Sequence, residues 1–422
     1  MITLYNILQL FLLPILILPL AVLIMLVPEY RLRTMRRLGI GLQSGAKKKT
    51  KQKTIWIHAL SVGEVTSALP LISGLRKKMP ETKLVFSVTS QAGAETAQKL
   101  LHDKVDRIIP FPFDILPVIK RFIRIIRPDL FILIETDFRP NIIFTLKQQN
   151  IPALLVNGRI SEQSFRFYQR FSFFFKPLFA NFQTLSMQTE KDKDKLINLD
   201  IDHRQIEALG NLKHDTALYS ASGRHQPLSF GLPTYQHLLV AGSTHEGEEK
   251  ILLQSYRQLK KEHPLLYLII APRIISRGKE IQTLAATMDL AANRRSQINA
   301  GGKDLFILDS LGELNSVYSH ADVAFVGGSL VNKRGHNPIE PASYSIPVLF
   351  GTHMENFSEI SDALLQAGGA IRVRNQNELT AVLQNILQDD QLHQKMGAAA
   401  RACISSRQGV VERHIKLIQE ML

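Results

Sequence analysis

The chain has 422 residues, 45% of them apolar and 21% charged, which describes a folded protein and excludes a disordered one. That length exceeds one ordinary core, so two domains are expected, and the single cysteine, Cys403, excludes an intramolecular disulfide and every multi-cysteine metal site. Net charge is +14, of which Glu29–Lys53 carries +8 directly after a hydrophobic stretch. This pattern points to an anionic membrane surface as a partner. It carries no basic-aromatic interleaving of the kind that binds nucleic acid.

Met1–Pro28 holds no charged residue, and Ile7–Val27 is apolar apart from Gln9, Pro14 and Pro19. A run of about 20 such residues is long enough to span a bilayer. It lacks the basic start and small-residue cleavage site of a signal peptide, so residues 1–28 read as an uncleaved anchor. The basic residues after it place the main body on the cytoplasmic face by the positive-inside rule. Pro14 and Pro19 leave open a helix that dips into one leaflet. Residues 29–53 read as a basic juxtamembrane linker.

From Thr54 short β-branched runs alternate with helical patterns. Strands are expected at Thr54–Ala59, Leu84–Thr89, Arg107–Pro112, Leu130–Ile134, Ala153–Val156 and Thr184–Met187, with helices between them. A polar stretch at 220–234 reads as an interdomain linker after a first domain of 54–219. The second domain, 235–422, repeats the alternation. Its strands are His237–Ala241, Leu266–Ala271, Phe306–Leu308, Val323–Val326, Val348–Phe350 and Ala370–Val373, and helices follow from Glu378. The fold class is therefore α/β, two doubly wound parallel sheets with a cleft between the halves.

Val323–Pro341 (VAFVGGSLVNKRGHNPIEP) is the most informative stretch. It predicts a strand, a glycine turn, a loop and a helix starting near Pro338 with Asn337 as its cap. Free backbone N–H groups and a helix dipole would then meet at one anion site. Glu340 reads either as an acceptor for sugar hydroxyls or as a first-turn acid placed well for the dipole.

Several separated motifs resemble one family. WIHALSVGEV (56–65), ETDFRPN (135–141), NGRISEQS (157–164), GNLKHD (210–215), AGSTHEGEE (241–249), APR (271–273), LGEL (311–314), VGGSL (326–330), GHNPIEP (335–341) and ENF (355–357) occur in the order seen in Kdo transferases, the 3-deoxy-D-manno-octulosonic acid transferases of lipopolysaccharide assembly. The resemblance implies a GT-B glycosyltransferase fold of two Rossmann-like domains, CMP-Kdo as co-substrate with no separate cofactor, the lipid A precursor as acceptor, and a place at the inner membrane. It assigns Glu64 as the base of an inverting displacement, Glu135 as a stabiliser of the transition state, and Lys213 as support for charge on the donor. It assigns CMP binding to Pro272 and Arg273, to Leu311, Gly312 and Glu313, and to Asn337, Pro338, Ile339 and Glu340.

Each of these has a plainer reading beside it. Glu64 also suits a helix N-terminus, Lys213 a solvated side chain, and the Ser243–Glu246 and Glu248 stretch a capping arrangement. Arg159 and Ser161 read as phosphate or sugar contacts on the acceptor side or as loop surface. The chain departs from the family pattern at Asp137, one methylene shorter than the usual glutamate, and at Arg139, His214, Ile274 and Lys333-Arg334. No metal site is expected: Glu190–Asp194 is a mixed-charge surface, and His245, His336 and His353 lack ligand spacing. Two alternatives share the same motifs, a GT-B enzyme using another nucleotide sugar and a non-catalytic nucleotide-binding relative.

Overall fold

A computed structural model of the protein describes residues 2–12, 28–42, 52–215, 228, 230–297 and 303–422. It forms two compact units, one of Met1–Thr216 with Gly409–Leu422 and one of Ala217–Gln408.

The first unit is built on β1 (Thr54–Ala59), β2 (Lys83–Val88), β3 (Arg107–Pro110), β4 (Leu130–Ile134), β5 (Ala153–Gly158), β6 (Thr184–Met187) and β7 (Ile206–Ala208). They pair in the order β3-β2-β1-β4-β5-β6-β7. The second unit uses β8 (His237–Thr244), β9 (Leu266–Pro272), β10 (Ala292–Arg294), β11 (Leu305–Ile307), β12 (Val323–Val326), β13 (Val348–Phe350) and β14 (Ala370–Arg372), ordered β10-β11-β9-β8-β12-β13-β14. Every pairing is parallel; β1 aligns Ile55 with Leu84 on one side and with Leu130 on the other. β1, β4, β5, β9 and β12 are buried along their whole length. Helices cover both faces of such a sheet, which is why these strands are continuous apolar runs and do not alternate. The short edge strands β7 and β10 were not expected, since three residues leave no periodic signal.

The strand order reverses between β1 and β4 in the first sheet and between β8 and β12 in the second. Ligands of open α/β sheets bind outside the carboxyl ends of the strands at this reversal.

The last helix corrects the sequence reading, which placed everything from 235 onward in the second domain. Val410–Met421 packs on the first unit. Val410, Ile415 and Ile418 join Val65, Leu71 and Leu75 of helix Val62–Lys78 in one buried cluster. Ser186 and His414 Nε2 form a buried 2.8 Å hydrogen bond, and the carboxylate of Asp215 accepts from the N–H groups of Gly409 and Val411. Val411, Ile415 and Ile418, at i, i+4 and i+7, give this helix one greasy stripe, which packs on the first unit.

The N-terminal segment also differs from expectation. Most of the anchor, 13–27, lies outside the described residues. Among the described residues no helix is long and apolar enough to cross a membrane. The helix over 2–12 sets Tyr5 Oη and Gln9 Nε2 as donors to Asp114, while Leu4, Leu8 and Phe11 stay exposed. Pro28–Arg37, read from sequence as linker from residue 29 onward, is a helix, and Gly39 two residues past its end has φ +79°. A left-handed residue there stops the helix, and glycine takes that conformation without strain.

Candidate active site

Helix Val62–Lys78 starts two residues beyond β1, and Glu64 sits in its first turn. Its carboxylate folds back over the turn: Leu60 N–H donates to Oε2 at 2.6 Å and Ser61 Oγ donates to Oε1 at 3.2 Å. Glu64 is only 7% exposed. Burial pushes its pKa up to about 7; the Leu60 N–H opposes that rise, and Glu135 and Asp137 add to it as neighbouring negative charges. A buried carboxyl near neutrality is matched to taking a proton from a substrate hydroxyl. The capping geometry is real as well, so the plainer reading describes how the group is held.

Across the strand reversal, Glu135 follows β4 with φ +62°, and Asn157 at the end of β5 has φ +63°. Two adjacent left-handed non-glycine residues store strain of the kind found at functional sites. Asn157 Nδ2 donates to Glu135 Oε1 at 3.4 Å, and Asn157 Oδ1 accepts from Leu212 N–H at 3.0 Å. Asn157 thus ties Glu135 to the loop of Lys213, whose own N–H is held by Asn211 Oδ1 at 2.9 Å. The three residues expected to be catalytic, Glu64, Glu135 and Lys213, all lie along the carboxyl edge of the first sheet. Asn157 and His58 were not singled out from sequence, although both stand in matched motifs.

Asp137 does not hang in the site as a second acceptor-facing acid. His58 Nε2 lies 3.3 Å from its Oδ2, and Arg139 grips it through Nε at 2.8 Å and Nη2 at 3.2 Å. Burial raises the Asp137 pKa, but the bonds from His58 and Arg139 outweigh it and hold the carboxyl below its usual range. His58 is fully buried and stacked on Phe111 with ring centroids 3.5 Å apart; burial lowers its pKa against the pull of Asp137.

In the second unit the glycine turn after β12 corrects the sequence reading. Its N–H groups are not free: Gly328, Ser329 and Leu330 donate to the carboxylate of Glu248 at 2.7–2.9 Å, and His245 N–H donates at 2.9 Å. The anion at this turn is part of the protein. Gly327 is required by close approach, since a Cβ there would lie 2.5 Å from the Ser243 carbonyl oxygen.

The residues expected to bind CMP line loops at the carboxyl edge of this sheet. Arg273 is exposed just past Pro272, and its N–H is anchored on the Thr244 carbonyl at 3.0 Å. Leu311 is 79% exposed, Gly312 has φ +86°, and Glu313 pairs with Arg295 at 3.1 Å. The short helix Ile339–Ser343 has Pro338 at its N-cap, not Asn337 as expected; Asn337 stands one residue earlier, where its Oδ1 accepts from Ile339 N–H at 3.1 Å and its Nδ2 donates to Glu340 Oε1 at 3.0 Å. His245 and His336, scattered in sequence, meet here at 2.8 Å between their Nε2 atoms. Burial, then His245 and Arg273, press the His336 pKa down to about 4. Among the described residues no three His, Cys, Asp or Glu side chains cluster as metal ligands.

Comparison with solved structures defines the class first. The chain shares its architecture with UDP-GlcNAc 2-epimerase from Neisseria meningitidis (TM-score 0.61, 16% identity, 86% of this chain and 100% of that one) and with a glycosyltransferase from Rickettsia africae (TM-score 0.55, 12% identity, 88% and 99%). It is a GT-B-type fold of two Rossmann-like units. The profile described as 3-Deoxy-D-manno-octulosonic-acid transferase (kdotransferase) matches residues 33–216. The 3-deoxy-D-manno-octulosonic acid transferase of Haemophilus influenzae is 30% identical over 399 residues, 94% of this chain and 92% of the relative. The chain belongs to the Kdo transferase family and is a glycosyltransferase.

Proposed function

We propose that this enzyme moves Kdo from CMP-Kdo to the lipid A precursor with inversion at the anomeric carbon, at the cytoplasmic face of the inner membrane. The observation that carries the reading is Glu64, a buried carboxyl raised to about 7 at the strand reversal of the first unit. Glu64 takes the acceptor hydroxyl's proton as the oxygen bonds to the anomeric carbon. The bond from that carbon to the phosphate oxygen breaks, and its electron pair leaves with CMP. Glu135, held by Asn157, offers negative charge to the cationic transition state. Lys213 and Arg273 bear on the charge of the donor phosphate, Arg273 through a planar fork suited to it. The exposed Leu311-Gly312 turn with Glu313, and Asn337–Glu340, supply the walls for the cytidine and its ribose.

The test is mass spectrometry of the lipid A precursor after incubation with CMP-Kdo and the full-length protein in detergent. A mass increase of one or more Kdo units is expected, with none when a UDP-sugar replaces CMP-Kdo. Transfer at the normal rate by Glu64→Ala would remove the base from this account.

A further inference from the structure

Helix Pro28–Arg37 carries Arg33 and Arg37 one turn apart, on the same face. Sequence assigned both to a membrane surface, together with Arg31 and Arg36. The structure separates the four: Arg31 and Arg36 are exposed, whereas Arg33 and Arg37 are half-buried against the carboxyl edge of the first sheet. Arg33 donates through Nη2 to the carbonyl of Thr89, just past β2. Arg37 donates through Nε to the carbonyl of Phe111, just past β3, at 3.0 Å, with its guanidinium 4.1 Å from the centre of the Phe113 ring. From the other side of β1 comes Arg139, fixed by Asp137.

Three guanidinium groups therefore share one sheet edge. Among the described residues neither Arg33 nor Arg37 has a carboxylate at ion-pair distance, and Asp137 serves Arg139. The crowding has an electrostatic mark: burial, then Arg139 and Arg33, pull the Arg37 pKa down to about 10. Asp137, already bound by Arg139, only partly offsets that fall; three guanidinium groups gathered around one carboxylate are a local conflict that folding alone does not call for. Each guanidinium spends only one or two nitrogens on the protein, which leaves the terminal groups of Arg37 and one of Arg139 for a ligand. Planar forks of this kind match the oxygens of a phosphate.

We infer that Arg33, Arg37 and Arg139 form a phosphate-binding site on the acceptor side of the first unit. It rests on the proposed transfer to a phosphorylated lipid acceptor and adds the group by which that acceptor is oriented. Thr89 and Phe111 lie beyond β2 and β3, one and two strands from β1, which leads to Glu64. Strand spacing places the phosphate about 5–10 Å to the side of the reacting hydroxyl. The helix that follows the apolar N-terminal segment thus does more than lie on lipid: its inner face reads the substrate.

The test compares two acceptors, the phosphorylated one and the same lipid with its phosphates removed by a phosphatase, with the full-length enzyme in detergent. Equilibrium binding of each acceptor is measured alongside KM and kcat. Wild type should lose about 10- to 100-fold in acceptor affinity when the phosphates are removed, the range for a charged hydrogen bond. Arg37→Gln and Arg33→Gln should lose as much on the phosphorylated acceptor and little on the other, with the KM for CMP-Kdo unchanged and Arg37→Lys partly restored.

Equal losses on both acceptors would mean that the arginines only pin the helix, and the site would be refuted. It would also fall if the variants kept their acceptor affinity but bound anionic phospholipid vesicles less well, since the phosphate would then be a headgroup. Acceptor binding is read even without turnover, so absence of transfer by wild type would count against the proposed function and leave the arginine site to be decided by affinity. The loss in wild type on phosphate removal does not depend on any variant folding.

Discussion

Glu64 and Glu248 stand at corresponding places in the two units, each in the first turn of the helix that follows the strand next to the reversal. Their surroundings differ. Glu248 is fully buried and accepts four backbone N–H groups, three of them from the glycine turn after β12. Glu64 accepts one backbone N–H and one hydroxyl, and two further carboxylates lie close enough to raise its pKa. Four donors make a carboxylate a fixed strut; burial with only two donors, beside two acidic neighbours, leaves a group that titrates near neutrality. Under the proposed function the same architectural position serves as scaffold in one unit and as chemistry in the other, and the number of donors each carboxylate accepts is what sets the two apart.

The comparison can be broken most sharply at Glu64. Glu64→Gln should reduce turnover by about 10²- to 10⁴-fold, the usual contribution of a positioned base, while CMP binding by calorimetry stays unchanged. Glu248→Gln should do the reverse: the amide turns a donor toward backbone N–H groups, costing about 2–4 kcal/mol in urea denaturation of the second unit.

The titration of Glu64 gives a third measurement. Its folded-state pKa of about 7 lies above the ordinary 4.5, so the folded protein holds the proton more tightly than the unfolded chain. That contribution to stability is complete below pH 4.5 and is lost as pH rises through 7. Glu64→Gln should therefore match wild type at low pH and exceed it by about 2–3 kcal/mol at pH 8, against the loss expected of a helix cap alone. The kcat/KM of wild type should rise through about pH 7 and then level. The smallest effect expected is for Ser186→Ala, which removes the partner of buried His414 and should cost about 1 kcal/mol in thermal unfolding.

The core of both sheets was legible because most buried parallel strands are apolar throughout: Leu130–Ile134, Val323–Val326 and Val348–Phe350 have the bounds read from sequence, as does the more polar Thr184–Met187. What failed has a common cause. An amphipathic pattern shows that Val410–Met421 has an apolar face but not which unit buries it. The glycines after β12 announce a turn with available N–H groups, and only the tertiary fold reveals that Glu248, 80 residues earlier, already fills it. The charges at Arg33 and Arg37 were visible too, but which way a helix turns its arginines depends on the carbonyls it meets. In the site, the motif marked Glu64 and Glu135; the ties of Asn157 to Glu135 and of His58 to Asp137 join different strands and have no local signature.

The return of the final helix to the first unit has a consequence during synthesis. Helix Val62–Lys78 and its neighbours leave the ribosome early, yet the side chains that complete their wall, Val410, Ile415 and Ile418, are among the last translated. The N-terminal half must wait, with apolar surface uncovered, until the whole second unit has emerged. Nascent chains arrested just before residue 409 should therefore engage chaperones more than chains released at 422.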